Sequence, residues 1–298
     1  MTLEPALSAR LERLLGRSAL SCALETPLMA NALPAPPDDT AQRLYASLSS
    51  MMQFDEIEVR GVLRTILTPT DRESCFLLIY HRTAANIASV SKLNGARHFQ
   101  AISMLARNLF EMAVDIKLID KIKDSVPKMI AFVEVEKLRA AKMIVAYKTK
   151  YPAIALDVSL YQSYISSQEA RIDANRATLW PRVKKIDGWS NRNLRVRSEL
   201  AGHPYDEIYE VEQPRMSWQV HSGLTGVINL KTESFTHMAG VGIASCIASY
   251  EAVLLAMIDE FKIAKADDKI KNKLQVSKLL PWADDEKQAR ELFREATS

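Results

Sequence analysis

RHFQAISMLARNLFEMAVDIKLIDKIK, residues 97–123, decides the fold. Phe99, Ile102, Ala106, Leu109 and Ala113 recur at the three-and-four spacing that lines one face of an α-helix. Met104, Val114 and Leu118 carry apolar surface round to a second side. A helix apolar on two sides belongs in an interior. From Phe99 to Val114 the only formal charges are Arg107 and Glu111, four residues apart and therefore on a shared face. Charges inside a fold persist when they are paired and hydrogen-bonded. The pair reads either as a structural ion pair that sets helix register or as part of a polar pocket.

Working outward, the same helical period continues in both directions. Upstream, residues 72–92 form a helix around Phe76, Ile79, Ala84 and Ile87, capped by the Thr68–Asp71 turn and stopped at Asn94-Gly95. Helices are expected over about 40–53, with Leu44 and Leu48 inward, and over about 56–67. LPAPPDD (33–39) breaks helix and reads as a linker behind an amphipathic helix at 3–17. Downstream, helices are expected at about 125–149 and 156–177, with a break at Trp180-Pro181. Helix resumes near Leu194 and ends at Gly202-His203-Pro204, with a short helix from Tyr205 and another from about Arg215 to Ile228. A loop at 229–234 leads into an apolar helix at about 235–265, and polar amphipathic helices follow at 267–279 and 283–296. No alternating strand pattern of useful length appears. The expected fold is all-α, a single helical bundle with peripheral N- and C-terminal helices. Its expected divisions are an N-terminal helix (1–32), the linker (33–39), the main bundle (40–265) and the C-terminal helices (266–298).

Composition limits the classes of function. Gly is scarce, at 9 residues in 298, which favours helix. Thirty-nine basic residues stand against 36 acidic ones, too even a balance for a nucleic-acid binder by bulk charge, though a local patch is compatible with it. Cys22, Cys75 and Cys246 are far apart and lack metal-ligand spacing, so disulfides and a structural zinc are not expected and a cytoplasmic setting is. Glu4, Arg10, Glu12 and Arg13 at the start do not form a signal peptide pattern. Met238–Ile258 holds one charge, Glu251, and is long enough to span a bilayer. Its Ser, Gly and Ala content and that carboxylate read better as a buried core helix, and no membrane partner is expected.

The chemistry-bearing residues gather in RVRSELAGHPYDEIYEVEQPRMSWQVH, residues 195–221, which holds two of the five histidines. Arg197 and His203 place a guanidinium and an imidazole less than two helical turns apart. An imidazole transfers protons near neutral pH, and a guanidinium holds a phosphate through two parallel hydrogen bonds. Together they are a minimal set for RNA cleavage without a metal; the plainer reading of His203 is a helix C-terminal residue beside Pro204. The preceding run 181–197 holds four Arg and two Lys against one Asp, with Arg195 and Trp189 among them. It could track a phosphate backbone, Trp189 stacking on a base, or be merely solvated. Ser217 and His221 lie four apart on one helical face. A Ser/His hydrolase would need its acid from Glu111 or Glu251, and the strand–turn–helix that presents such a nucleophile is missing. No HExxH, P-loop or dinucleotide fingerprint occurs, so neither metal nor cofactor is expected.

The Arg197–His203 spacing resembles the Arg-x(4–6)-His signature of the HEPN helical superfamily. That resemblance implies a metal-independent ribonuclease or RNA-binding protein of toxin–antitoxin or phage-defence type, usually a homodimer with paired sites. His203 would be the acid/base and Arg197 the phosphate contact. The serine at 198 departs from the stronger hydrogen-bonding residue often found after that arginine. ARNLFE (106–111) followed by MSWQVHSG (216–223) also looks like a bacterial helical domain of unknown function, with Arg-x3-Glu and Ser-x3-His segments, across about 70–262. This second resemblance implies a shared polar cluster of Arg107, Glu111, Ser217 and His221 without an established activity. The catalytic candidates are thus Arg197, His203 and His221, and the substrate-binding candidates Arg107, Glu111, Ser217, Arg195 and Trp189. The alternative is a non-catalytic helical scaffold or regulatory protein built around a buried polar network.

Overall fold

The computed structural model describes residues 38–93, 95–181, 183–220, 232–263, 269–284 and 286–297. Among these residues every regular element is helical and none is a strand, so the chain is all-α. The N-terminal helix expected at 3–17, and most of the linker, lie outside the described residues.

Two helices make the centre. α3 (Phe99–Leu118) and α9 (Thr232–Glu260) pack along one another. The stripe expected of α3 is buried throughout, while Met104 is 47% exposed. Gly242 lets the two backbones approach: a Cβ there would come within 2.8 Å of Ile102 Cγ2. Phe99 and Phe235 stack at 4.8 Å near one end of the pair. The Phe235–Glu260 stretch of α9 is long and apolar enough to cross a membrane, and 61% of its most apolar window is buried in this fold. Its one central charge, Glu251, meets Lys278 at 2.6 Å.

α1 (Asp38–Phe54) begins inside the segment expected to be linker and buries Leu44, Leu48 and Met51 against α9 and α10 (Lys269–Leu279). The expected helix at 56–67 is instead a π-helical turn, Asp55–Val59, running on from α1 into one α-turn, Arg60–Leu63. The wide turn buries both Asp55 and Val59. α2 (Asp71–Val90) opens with a reciprocal capping box between Thr70 and Glu73, and packs on α3 and α9. The chain reaches α3 through Gly95, whose φ of +92° suits glycine. α10, the turn Leu280–Trp282 and α11 (Glu286–Thr297) add Ile270, Leu274, Leu279, Trp282 and Leu292 to the same core. Trp282 donates its indole N–H to Ser47 on α1 at 3.0 Å.

α4 (Ser125–Lys150) and α5 (Ser159–Leu179) form an antiparallel hairpin. After it, Trp180 donates to the Trp189 carbonyl at 3.0 Å and closes the basic run into a tight excursion. Three short helices follow, α6 (Leu194–Ala201), α7 (Tyr205–Val211) and α8 (Gln213–Val220). α6 and α8 lie on α3. Leu194, Ala201 and Trp189 pack with Phe110, Val114 and Leu118 in a second, smaller core.

Candidate functional site

One face of α3 presents Arg107, Glu111 and Asp115 at successive four-residue steps. α6 delivers the residue that meets them. Its first turn is held by the Asn193 side chain, which accepts a hydrogen bond from the Val196 amide at 3.0 Å. Leu194, Ser198 and Ala201 are buried along the helix, and Arg197, on the same side, is only 13% exposed. Arg197 Nη1 donates to Asp115 Oδ1 at 2.6 Å and Nη2 to Glu111 Oε2 at 3.1 Å. Burial works against the guanidinium charge, and the two carboxylates outweigh it, so Arg197 stays protonated with its pKa raised.

Glu111 then links Arg197 to Arg107, whose Nε lies 3.7 Å from Glu111 Oε1. Arg107 Nη1 donates to Ser217 Oγ on α8, and Ser217 donates in turn to the Gln213 carbonyl at 2.7 Å. The result is a chain of alternating charge, Asp115–Arg197–Glu111–Arg107, ending on a hydroxyl. Two carboxylates balance two guanidiniums, so the cluster has no excess positive charge for a phosphate. It ties α3, α6 and α8 together. Several polar atoms around it are buried without a hydrogen bond: Arg197 Nε, Trp189 Nε1 and both ends of the Gln213 carboxamide. Such groups cost stability wherever they occur.

Arg107, Glu111, Ser217 and Arg197 are therefore brought together, and Asp115 joins them. Trp189 stands beside the cluster, buried in the smaller core, and burial raises the Asp115 carboxyl above its ordinary value despite the Arg197 guanidinium. Arg195 points away and pairs with Glu199 at 3.1 Å on the surface. His203 is also apart from Arg197. α6 ends at Gly202, with φ +75°, and the His203 side chain is 79% exposed, its Nδ1 3.5 Å from Glu207 Oε2. The reversal at Gly202 separates two residues that are close in sequence: one faces α3, the other solvent. Lys121, three residues past α3, donates to the Ala201 carbonyl at 2.6 Å and so occupies the C-terminal end of α6. His221 lies outside the described residues, one position beyond α8. Among the described residues no group of three or more His, Cys, Asp or Glu side chains is placed to hold a metal ion.

A second polar cluster carries no local sequence signature. Asp55, wholly buried in the π-helical turn, accepts hydrogen bonds from Tyr80 at 2.5 Å and Tyr250 at 2.7 Å, and from Arg60 Nε at 3.1 Å. Burial raises the Asp55 carboxyl above its ordinary value despite these partners, and raises both tyrosine hydroxyls as well. Tyr205, on α7, is pushed up to about 12 by burial, with Glu251 adding to the effect.

The chain matches no protein-family model, no curated protein and no solved structure.

Proposed function

We propose that this protein is a non-catalytic helical scaffold or regulatory body, and that its Asp115–Arg197–Glu111–Arg107–Ser217 network is structural. The observation that carries this reading is the state of Arg197. Its two terminal nitrogens are taken by Asp115 and Glu111. With its charge balanced by two carboxylates and its side chain only 13% exposed, this guanidinium is not presented to a phosphate. The network's work is to hold α6 and α8 against α3. Both helices have only eight residues, too short to persist without tertiary support.

The HEPN-like ribonuclease is the second reading. It is favoured by His203, an exposed imidazole beside Glu207 with the exposed Arg195 one turn before Glu199. In that case the phosphate contact comes from another guanidinium, such as one from a second copy of the chain, because Arg197 is engaged. The test is RNA degradation by purified wild type, His203→Ala and Arg197→Ala, alongside the unfolding midpoint of each. The scaffold reading expects intact RNA in every case, a stable His203→Ala and a destabilised Arg197→Ala. RNA cleavage by wild type that disappears in a fully folded His203→Ala overturns it and establishes the second.

A further inference from the structure

The distal end of the α4–α5 hairpin is apolar, exposed and basic. The α4 side chains packed on the two cores, Val126, Met129 and Phe132, all lie in its first eight residues. Beyond them α4 runs on for 18 residues, ~27 Å at 1.5 Å per residue, with α5 as its main neighbour. At its far end Met143 is 67% exposed, Tyr147 50%, Ile154 37% and Leu160 81%, and Tyr151 and Tyr161 are exposed too. These six fall within 19 residues of sequence at one end of the hairpin, and such a concentration calls for an explanation that singly scattered residues do not.

We propose that this tip is a docking surface for an anionic lipid bilayer. It would rest on the membrane surface and not span it. Three observations choose that occupant. First, from Ala140 to Ile165 the charges are Lys142, Lys148 and Lys150 against the single acid Asp157, with Lys142 paired to Glu169 across the hairpin. That leaves Lys150, and Lys148 beyond its two bonds to loop carbonyls, to meet the headgroups of acidic lipids. Second, the aromatic residues are three tyrosines, Tyr147, Tyr151 and Tyr161, with an apolar body and a polar end suited to the membrane interface. Tyr147 and Tyr151 lie with ring centroids 5.0 Å apart, and Lys150 stands over the Tyr151 ring at 5.3 Å.

Third, part of the loop's backbone is satisfied from within. Lys148 donates to the carbonyls of Pro152 and Ile154, the Ile154 amide bonds the Tyr151 carbonyl, and the Leu156 amide bonds that of Ile154. Asp157 accepts from the Ser159 amide at 2.9 Å. Polar backbone bonded in this way enters an apolar layer at lower cost. A second copy seated on the same tip would set lysines against lysines. RNA would leave Met143, Ile154 and Leu160 without partners.

The test is flotation of the full chain with vesicles of phosphatidylcholine alone and of phosphatidylcholine with phosphatidylglycerol. Wild type is expected to float with the anionic vesicles, less so in high salt, and to remain behind with the neutral ones. Ile154→Asp combined with Leu160→Asp should cut the bound fraction about tenfold, with helical content and unfolding midpoint unchanged. Leu160→Ser alone provides the milder variant should the double one unfold, and is expected to weaken binding in the same direction. No flotation of wild type, or equal flotation of wild type and tip variants, overturns the proposal. So does a tip-dependent self-association in the absence of lipid, or a tip-dependent retention of RNA without vesicle binding.

Discussion

Arg197 Nη1 lies 2.6 Å from Asp115 Oδ1, across 82 positions of sequence, with both side chains largely withdrawn from water. Asp115→Ala removes the shorter of the two contacts that hold this guanidinium and leaves it under-compensated. Loss of one partner of a buried pair costs about 3–5 kcal/mol. The double variant Asp115→Leu with Arg197→Met should cost less than the single one, because it leaves no stranded charge. Urea unfolding of the single and double variants measures the coupling. A single-variant loss below about 1 kcal/mol would mean that the pair is effectively solvated.

The Asp55 cluster gives a pH signature of definite sign. Burial raises this carboxyl, so the folded protein keeps a proton that the unfolded chain has already released. The stability gained is fully present below the unfolded value, near 3.8, and is lost as pH rises through the folded one. Asp55→Asn removes this contribution while keeping an oxygen to accept from a tyrosine. The unfolding free energy of wild type minus that of Asp55→Asn should therefore fall as pH increases from about 4 towards neutrality. A difference that climbs over that range would mean that Tyr80, Tyr250 and Arg60 outweigh burial.

Gly242 and Gly240 make a matched pair on α9. A Cβ at Gly242 would press on Ile102, a stiff β-branched side chain with no exposure, whereas one at Gly240 meets nothing within 4 Å. Overpacking of this kind costs about 1–3 kcal/mol. Removing a helical glycine gains at most about 1 kcal/mol. Gly242→Ala should lower the thermal midpoint, and Gly240→Ala should hold or raise it. Similar shifts for both would show that α3 and α9 separate easily.

Gln213 is 1% exposed and its carboxamide lacks a partner at either end. Met has similar length and no such requirement. Gln213→Met should stabilise the protein by about 1–3 kcal/mol, the cost of an unmet buried polar group. Differential scanning calorimetry reads this directly. Destabilisation would indicate that an ordered water or a bound molecule satisfies the amide.

Much of the helical plan was legible because it depends on local signals. The Thr68–Asp71 turn before α2 and Gly202 after Ala201 each mark a helix end through side-chain capping or backbone freedom. The Arg107–Glu111 pair was legible from its four-residue step. Asp115 repeats that step but lies just past the apolar run that ends at Val114, which hides it in the sequence. Asp55 could not be read at all. Tyr80 and Tyr250, its hydroxyl partners, are 25 and 195 positions away, and only the packing of α2 and α9 brings them to the π-helical turn. Arg197 and His203 mislead in the opposite way, since adjacency along the chain ends where the helix does. The C-terminal helices look polar because few of their positions are apolar, yet Leu274 and Leu292 are wholly buried in the main core.

The seat of α1 also has a bearing on how the chain is made. Its neighbours are α9, α10 and the Leu280–Trp282 turn, so the first described helix leaves the ribosome with its docking partners still unsynthesised. Leu44, Leu48 and Met51 stay uncovered until α9 and α10 have been made. Loss of α10 and the Leu280–Trp282 turn would thus strip α1 of much of its cover. Nascent chains stalled before Trp282 should be bound by chaperones that take exposed apolar helix.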